Sequence, residues 1–216
     1  YGKYSYLVFE GDQPENVAKG KWETSDTGME AEILWGAGYD KEDYAGKLPE
    51  RKALATSAAP FSAERMKRDI VYLASDKLEG TGLGSDGIRK ASIYIAERFE
   101  EAGLLPAGDG GTFFQTWEGV VDAGGKTGKI RNIIGFLPGT DEELEGESVI
   151  VCAHYDHLGY GWPDVRKGNE GMIHNGADDN ASGVAVMLEL ARRLGESFKP
   201  ERSVVFAAFT AEENGL

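Results

Sequence analysis

Apolar residues recur along this chain at two periods, and the change of period marks its organisation. Ile88, Ala91, Ile95, Phe99 and Ala102 fall in the i, i+3, i+7, i+11, i+14 series of one helical face. Gly103 follows them as the residue suited to a left-handed helix stop. This predicts an amphipathic helix whose apolar face serves packing. An earlier helix is predicted from Ser62, a capping residue, through Met66, Ile70 and Leu73 to about Ser75. A later one carries Val184, Met187, Leu188, Ala191 and Leu194, with Arg192, Arg193 and Lys199 toward its end, where the helix dipole favours positive charge. Segments 130–137, 148–153 and 203–209 are short and almost wholly apolar. Such strands are expected in the middle of a sheet covered on both faces. Strand 148–153, helix, strand 203–209 forms a βαβ unit, which requires parallel strands.

Upstream the pattern differs. Residues 3–10 (KYSYLVFE) have the aromatic and β-branched content of a strand, and 20–35 reads as two more strands around Asp26-Thr27-Gly28. Residues 47–60 pass from charged to Ala/Ser-rich between two prolines, the composition of a linker. The expected layout is a β-rich segment of unassigned role at 1–50, a linker at 51–61 and an α/β domain from 62 to 216. Glycine recurs at 80, 82, 84 and 87. A phosphate loop should follow a strand and carry a Lys-Ser/Thr or a GxGxxG at a strand–helix junction. Here the preceding segment is helical and no such residues follow, so an ordinary loop is expected.

Composition narrows the function classes. The 216 residues hold 23 basic and 37 acidic side chains, a net charge of −14. That excludes a nucleic-acid binder, which needs a basic face, and disfavours docking on anionic lipid. The longest apolar run, 204–209, is too short to span a bilayer as a helix. A single cysteine, Cys152, excludes an intrachain disulfide and a multi-cysteine zinc cluster. It is expected to be a buried thiol sharing a strand face with His154. The chain opens on Tyr1, which suggests a processed or excised product.

The polar residues gain meaning once placed on the βαβ unit. Strand 148–153 runs into His154-Tyr155-Asp156-His157, strand 203–209 runs into Thr210-Ala211-Glu212-Glu213-Asn214, and the helix between them begins just after Asp178-Asp179-Asn180. In a parallel sheet both strand C-termini and the following helix N-terminus share one edge, where ligands bind in α/β folds. Singly, each cluster has a plain explanation: a loop, a helix N-terminus that favours acids, a solvated face. Together they put imidazole and carboxylate, without thiolate, at one edge. That donor set suits Zn²⁺, with Mn²⁺ or Co²⁺ as substitutes. Adjacent glutamates can divide the work of hydrolysis, one binding metal and one moving protons.

At these residues the sequence resembles the M28 family of zinc peptidases, co-catalytic aminopeptidases and their relatives. The resemblance rests on AHYDHLG (153–159), NGADDNASGVA (175–185) and RSVVFAAFTAEENGL (202–216), with weaker likeness in LASDKLEG (73–80) and GLLP (103–106). It implies an α/β three-layer sandwich, a mostly parallel or mixed sheet flanked by helices. It implies that His154 ligates one zinc, that Asp179 bridges two, and that Glu213 ligates the second. Glu212 is implied as the general base, and Asp156 as the carboxylate that orients His154. Asp178 is expected to support the loop, and His157 and His174 to stand outside the site.

The family pattern has five metal ligands, and three positions match here. The other two are expected downstream, so 62–216 is read as the front part of a catalytic domain, truncated at its C-terminus. Alone it is expected to bind metal weakly, show little or no activity, and expose an apolar face unless a second chain or segment completes it. The leading function is a secreted or periplasmic aminopeptidase acting on peptides. A non-catalytic receptor-type relative and a single-zinc glutaminyl cyclase-like acyltransferase are alternatives from other classes, and carboxypeptidase relatives stay open.

Overall fold

The computed structural model describes strands Val17–Glu23 and Glu30–Gly36 and residues 61–144, 146–197 and 199–215. The chain forms two units, 1–57 and 58–216. In the first, β1 (Val17–Glu23) and β2 (Glu30–Gly36) pair antiparallel from Val17↔Gly36 to Glu23↔Glu30. This agrees with two strands expected around Asp26-Thr27-Gly28. The strand expected at 3–10 and the linker at 51–61 fall outside the described residues, apart from Phe61.

The second unit begins with α1 (Ala63–Leu73), capped by the Ser62 side chain, which accepts from the Arg65 N–H. A tight 3₁₀ segment, Asp76–Thr81, leads to α2 (Asp86–Glu101), whose Ile88 N–H donates to the Ser85 hydroxyl. Gly103 follows at φ +75°. Then come β3 (Leu105–Pro106), β4 (Phe114–Val120), β5 (Thr127–Leu137), β6 (Ser148–His154), α3 (Ser182–Ser197) and β7 (Ser203–Phe209). The five-stranded sheet has the order β3-β5-β7-β6, with β4 also on β5. β6 and β7 are parallel, as the βαβ pattern requires, while β5 runs antiparallel to β3, β4 and β7. The architecture is therefore a mixed open sheet with flanking helices.

The helical stripes become the core. Ile95 and Phe99 of α2, Val184 and Leu188 of α3, and Ile133 and Phe206 of the sheet are 0–1% exposed. The Phe99 and Phe206 rings sit 6.1 Å apart. Polar groups tie the helices together. Glu189, fully buried on α3, accepts from Arg65 Nε and from the Ser62 N–H, both at 2.8 Å. Arg192 donates to Asp69 at 2.8 Å, and the Tyr94 hydroxyl donates to the same carboxylate at 2.6 Å.

Two expectations change here. β6 is not central among the described strands: it pairs with β7 alone and ends the sheet order, with Val149 50% and Ile150 62% exposed. An apolar run reports the preference of its side chains and not how many neighbours the strand has. Cys152 is exposed and not buried: it lies on the face of β6 that carries Ile150, opposite Val151 and Ala153, which pack against the core.

Candidate metal centre

The site grows from the point where β6 ends. Tyr155 leaves the strand with its N–H on the Phe209 carbonyl at 2.9 Å and its hydroxyl on the Arg131 carbonyl at 2.7 Å. Its ring is buried, and that burial pushes the phenol pKa well above its ordinary value. His154 and Asp156 flank this anchored residue. His154 Nδ1 meets the main-chain carbonyl of Asp156 at 3.1 Å. Donation there leaves the Nε2 lone pair free, and Nε2 lies 3.0 Å from Asp179 Oδ1 and 3.9 Å from Glu212 Oε2.

The Asp156 carboxylate has main-chain partners beyond His154. It is 1% exposed and sits 3.8 Å from His154 Nδ1, beyond hydrogen-bond reach. It accepts instead from the N–H groups of Glu212 and Glu213, both at 3.3 Å. Burial pushes its carboxyl pKa up, and those two N–H groups pull it back. The side chain thus holds the Glu212–Glu213 turn, and the main chain of the same residue orients His154. The turn enters through Ala211, which is 1% exposed and has φ +64°. A left-handed alanine costs about 1–2 kcal/mol, and such local strain clusters at functional sites.

Asp179 lies in the irregular turn Ala177–Ala181 before α3, with its side chain 63% exposed. The α3 N-terminus is capped by Asn180, whose Oδ1 accepts from Gly183 N–H at 3.0 Å, so neither aspartate is spent on the cap. Asp178 stays outside the cluster; its carbonyl accepts from the Ser182 hydroxyl at 2.8 Å. His174 also stands apart, its Nε2 3.4 Å from the Asn169 carbonyl.

His154, Asp179 and Glu213 each bring a donor atom within 4.8 Å of the others. One imidazole nitrogen and two carboxylates at that spacing fit a cation such as zinc, whose ligands lie about 2.0–2.2 Å from the ion. The glycine-rich stretch braces this loop. A Cβ on Gly80 would come within 2.2 Å of the His174 carbonyl, and one on Gly82 within 2.8 Å of Gly159 Cα. The two backbones approach this closely because side chains are missing, and Gly159 N–H donates to the Gly80 carbonyl at 3.1 Å.

The residue missed in the sequence is His157. Its Nδ1 lies 2.6 Å from Glu213 Oε1, and both side chains are only 15–16% exposed. The partners are 56 residues apart, so no local pattern could reveal the contact.

Fold and site together describe an α/β domain with a His/Asp/Glu group at metal-ligand spacing on one sheet edge. Residues 132–216 match the profile of peptidase family M28. Protein YfbL of Escherichia coli is 29% identical over 165 residues, 76% of this chain and 44% of its own. A "Probable zinc metalloprotease" of Phaeosphaeria nodorum is 29% identical over 143 residues, 60% of this chain and 28% of its own. The chain thus spans less than half the length of these curated relatives. Among solved structures, Porphyromonas gingivalis glutaminyl cyclase superposes with TM-score 0.59 and 22% identity, over 72% of this chain and 50% of that one. A Zn-dependent exopeptidase from Parabacteroides distasonis gives 0.55 and 22%, over 72% and 49%. A leucine aminopeptidase precursor from Bacteroides thetaiotaomicron gives 0.55 and 21%, over 73% and 50%. At these identities the superpositions establish the fold.

Proposed function

We propose that this chain carries part of the catalytic site of a zinc aminopeptidase that removes N-terminal residues from peptides. The observation that carries the reading is Glu212. It is the one carboxylate of the cluster that combines an exposed side chain (55%) with a place 3.9 Å from His154 Nε2, outside the ligand trio. Zinc held by His154, Asp179 and Glu213 would supply Lewis acidity and a water of lowered pKa. Glu212 takes the proton from the attacking water and delivers it to the leaving amine. Asp156 fixes the turn that aims Glu212, and the Asp156 carbonyl fixes the tautomer of His154. Two zinc ions per complete site, with Asp179 among the residues that would hold them, and an extracellular or periplasmic location belong to the same proposal. The open face of β6, where Ile150 is 62% exposed, supports a covering chain or segment.

With that covering chain or segment present, Glu212→Gln is expected to lower turnover of an aminoacyl chromogenic substrate about 10²–10⁴-fold while zinc affinity holds. Unchanged turnover would remove Glu212 from its role. The likeness to glutaminyl cyclase favours a second reading, in which the same carboxylate moves protons while an N-terminal glutamine cyclises. Mass analysis of products from a Gln-initiated peptide separates the two: released glutamine supports hydrolysis, and loss of ammonia with the chain intact supports cyclisation.

A further inference from the structure

We infer that His157 is a positioning residue for Glu213, holding one carboxylate oxygen so that the other faces the metal. The inference rests on the zinc reading above. The Glu213 main chain is fixed by its N–H on Asp156 Oδ2 at 3.3 Å. Its side chain would still be free to rotate, and the entropy lost on ordering a long side chain opposes metal binding. His157 Nδ1, 2.6 Å from Oε1, removes that freedom at the far end.

The imidazole is itself held. The His157 N–H donates to the Thr81 carbonyl at 3.3 Å. The ring lies against Gly176, where a Cβ would come within 2.9 Å of His157 Cγ. Gly176 has φ +65°, so glycine is favoured there both by backbone and by room for the ring. His174 closes another side edge-on, with ring centroids 6.5 Å apart. With Nδ1–H donating to Oε1, Oε2 keeps its lone pairs for the cation. Hydrogen bonds of this kind to a ligating carboxylate set its orientation, and losing one typically costs 10–100-fold in metal affinity.

The test is zinc affinity, measured by competition with a fluorescent chelator, together with the visible absorption of the Co²⁺-loaded protein. His157→Ala is expected to bind zinc about 10–100-fold more weakly and to alter the cobalt spectrum. His157→Asn, which keeps an N–H donor near the Nδ1 position, is expected to recover most of the affinity. That recovery separates positioning from mere space-filling. Wild-type affinity in His157→Ala, or equal loss in the Ala and Asn variants, overturns the inference while leaving the zinc reading intact. A wild-type protein that binds no zinc overturns both. Should His157→Ala fail to fold, comparing His157→Asn with His157→Leu decides: equal affinities overturn the inference, and tighter binding by Asn supports it.

Discussion

Two groups of acids lie in the α/β unit, and they are balanced in opposite ways. Between the helices, Asp69 and Glu189 are 3% and 0% exposed, and each meets a guanidinium: Arg192 at 2.8 Å for Asp69, Arg65 Nε at 2.8 Å for Glu189. At the ends of β6 and β7 stand Asp156, Asp179, Glu212 and Glu213. Among the described residues their ion-pair partners are His154 and His157, with no Lys or Arg. Like charges 4 Å apart repel by about 4 kcal/mol at an effective dielectric of 20. The helical cluster is complete with its own arginines. Among the described residues the strand-end cluster has no Lys or Arg partner of its own, which fits the zinc proposed above.

The comparison predicts that the two clusters answer to different perturbations. Removing Glu189 should leave Arg65 and the Ser62 N–H without their carboxylate, while Arg192 keeps Asp69, and destabilise the fold by about 1–3 kcal/mol. Urea unfolding of Glu189→Ala should show this, with zinc affinity unchanged. A large zinc effect would mean that the clusters are coupled. A smaller effect concerns acid. The Arg65 side chain, aided by the Ser62 N–H, holds the Glu189 carboxyl down at about 2, against an ordinary value of 4.5. A depressed carboxylate contributes stability that is full above the unfolded value and fades as pH falls through the folded one. The wild-type protein should therefore lose stability between about pH 4.5 and pH 2 more steeply than Glu189→Gln, by thermal melting across that range. Parallel slopes would assign the acid response elsewhere.

How much of this was legible in sequence follows from range. The Ser62 cap, the α2 stripe and the parallel β6–β7 pair rest on local spacing, and they stand. The parallel βαβ unit made it readable that the His154, Asp178-Asp179 and Glu212-Glu213 clusters share one edge; the choice of His154, Asp179 and Glu213 among them came from the resemblance to M28, and the structure brings these three together. The position of β6 was not, since apolar content does not state how many neighbours a strand has. The glycine-rich stretch looked like a plain loop because its purpose, close passage beside Gly159 and His174, depends on residues far along the chain. The resemblance implied that Asp156 orients His154, and nothing local could show that its carboxylate also accepts from the N–H groups of Glu212 and Glu213, more than fifty residues on. His157 was set aside for the same reason.

The most direct test of the account is a zinc titration of the wild-type protein beside Asp179→Asn and Glu189→Gln, read by isothermal calorimetry. Structural zinc sites are worth about 10–16 kcal/mol over four ligands, so one lost ligand should weaken binding by roughly 100-fold or more. The account predicts zinc binding by the wild type and by Glu189→Gln, and binding weakened to that degree in Asp179→Asn. No zinc binding by the wild type, or equal binding by all three, would contradict it.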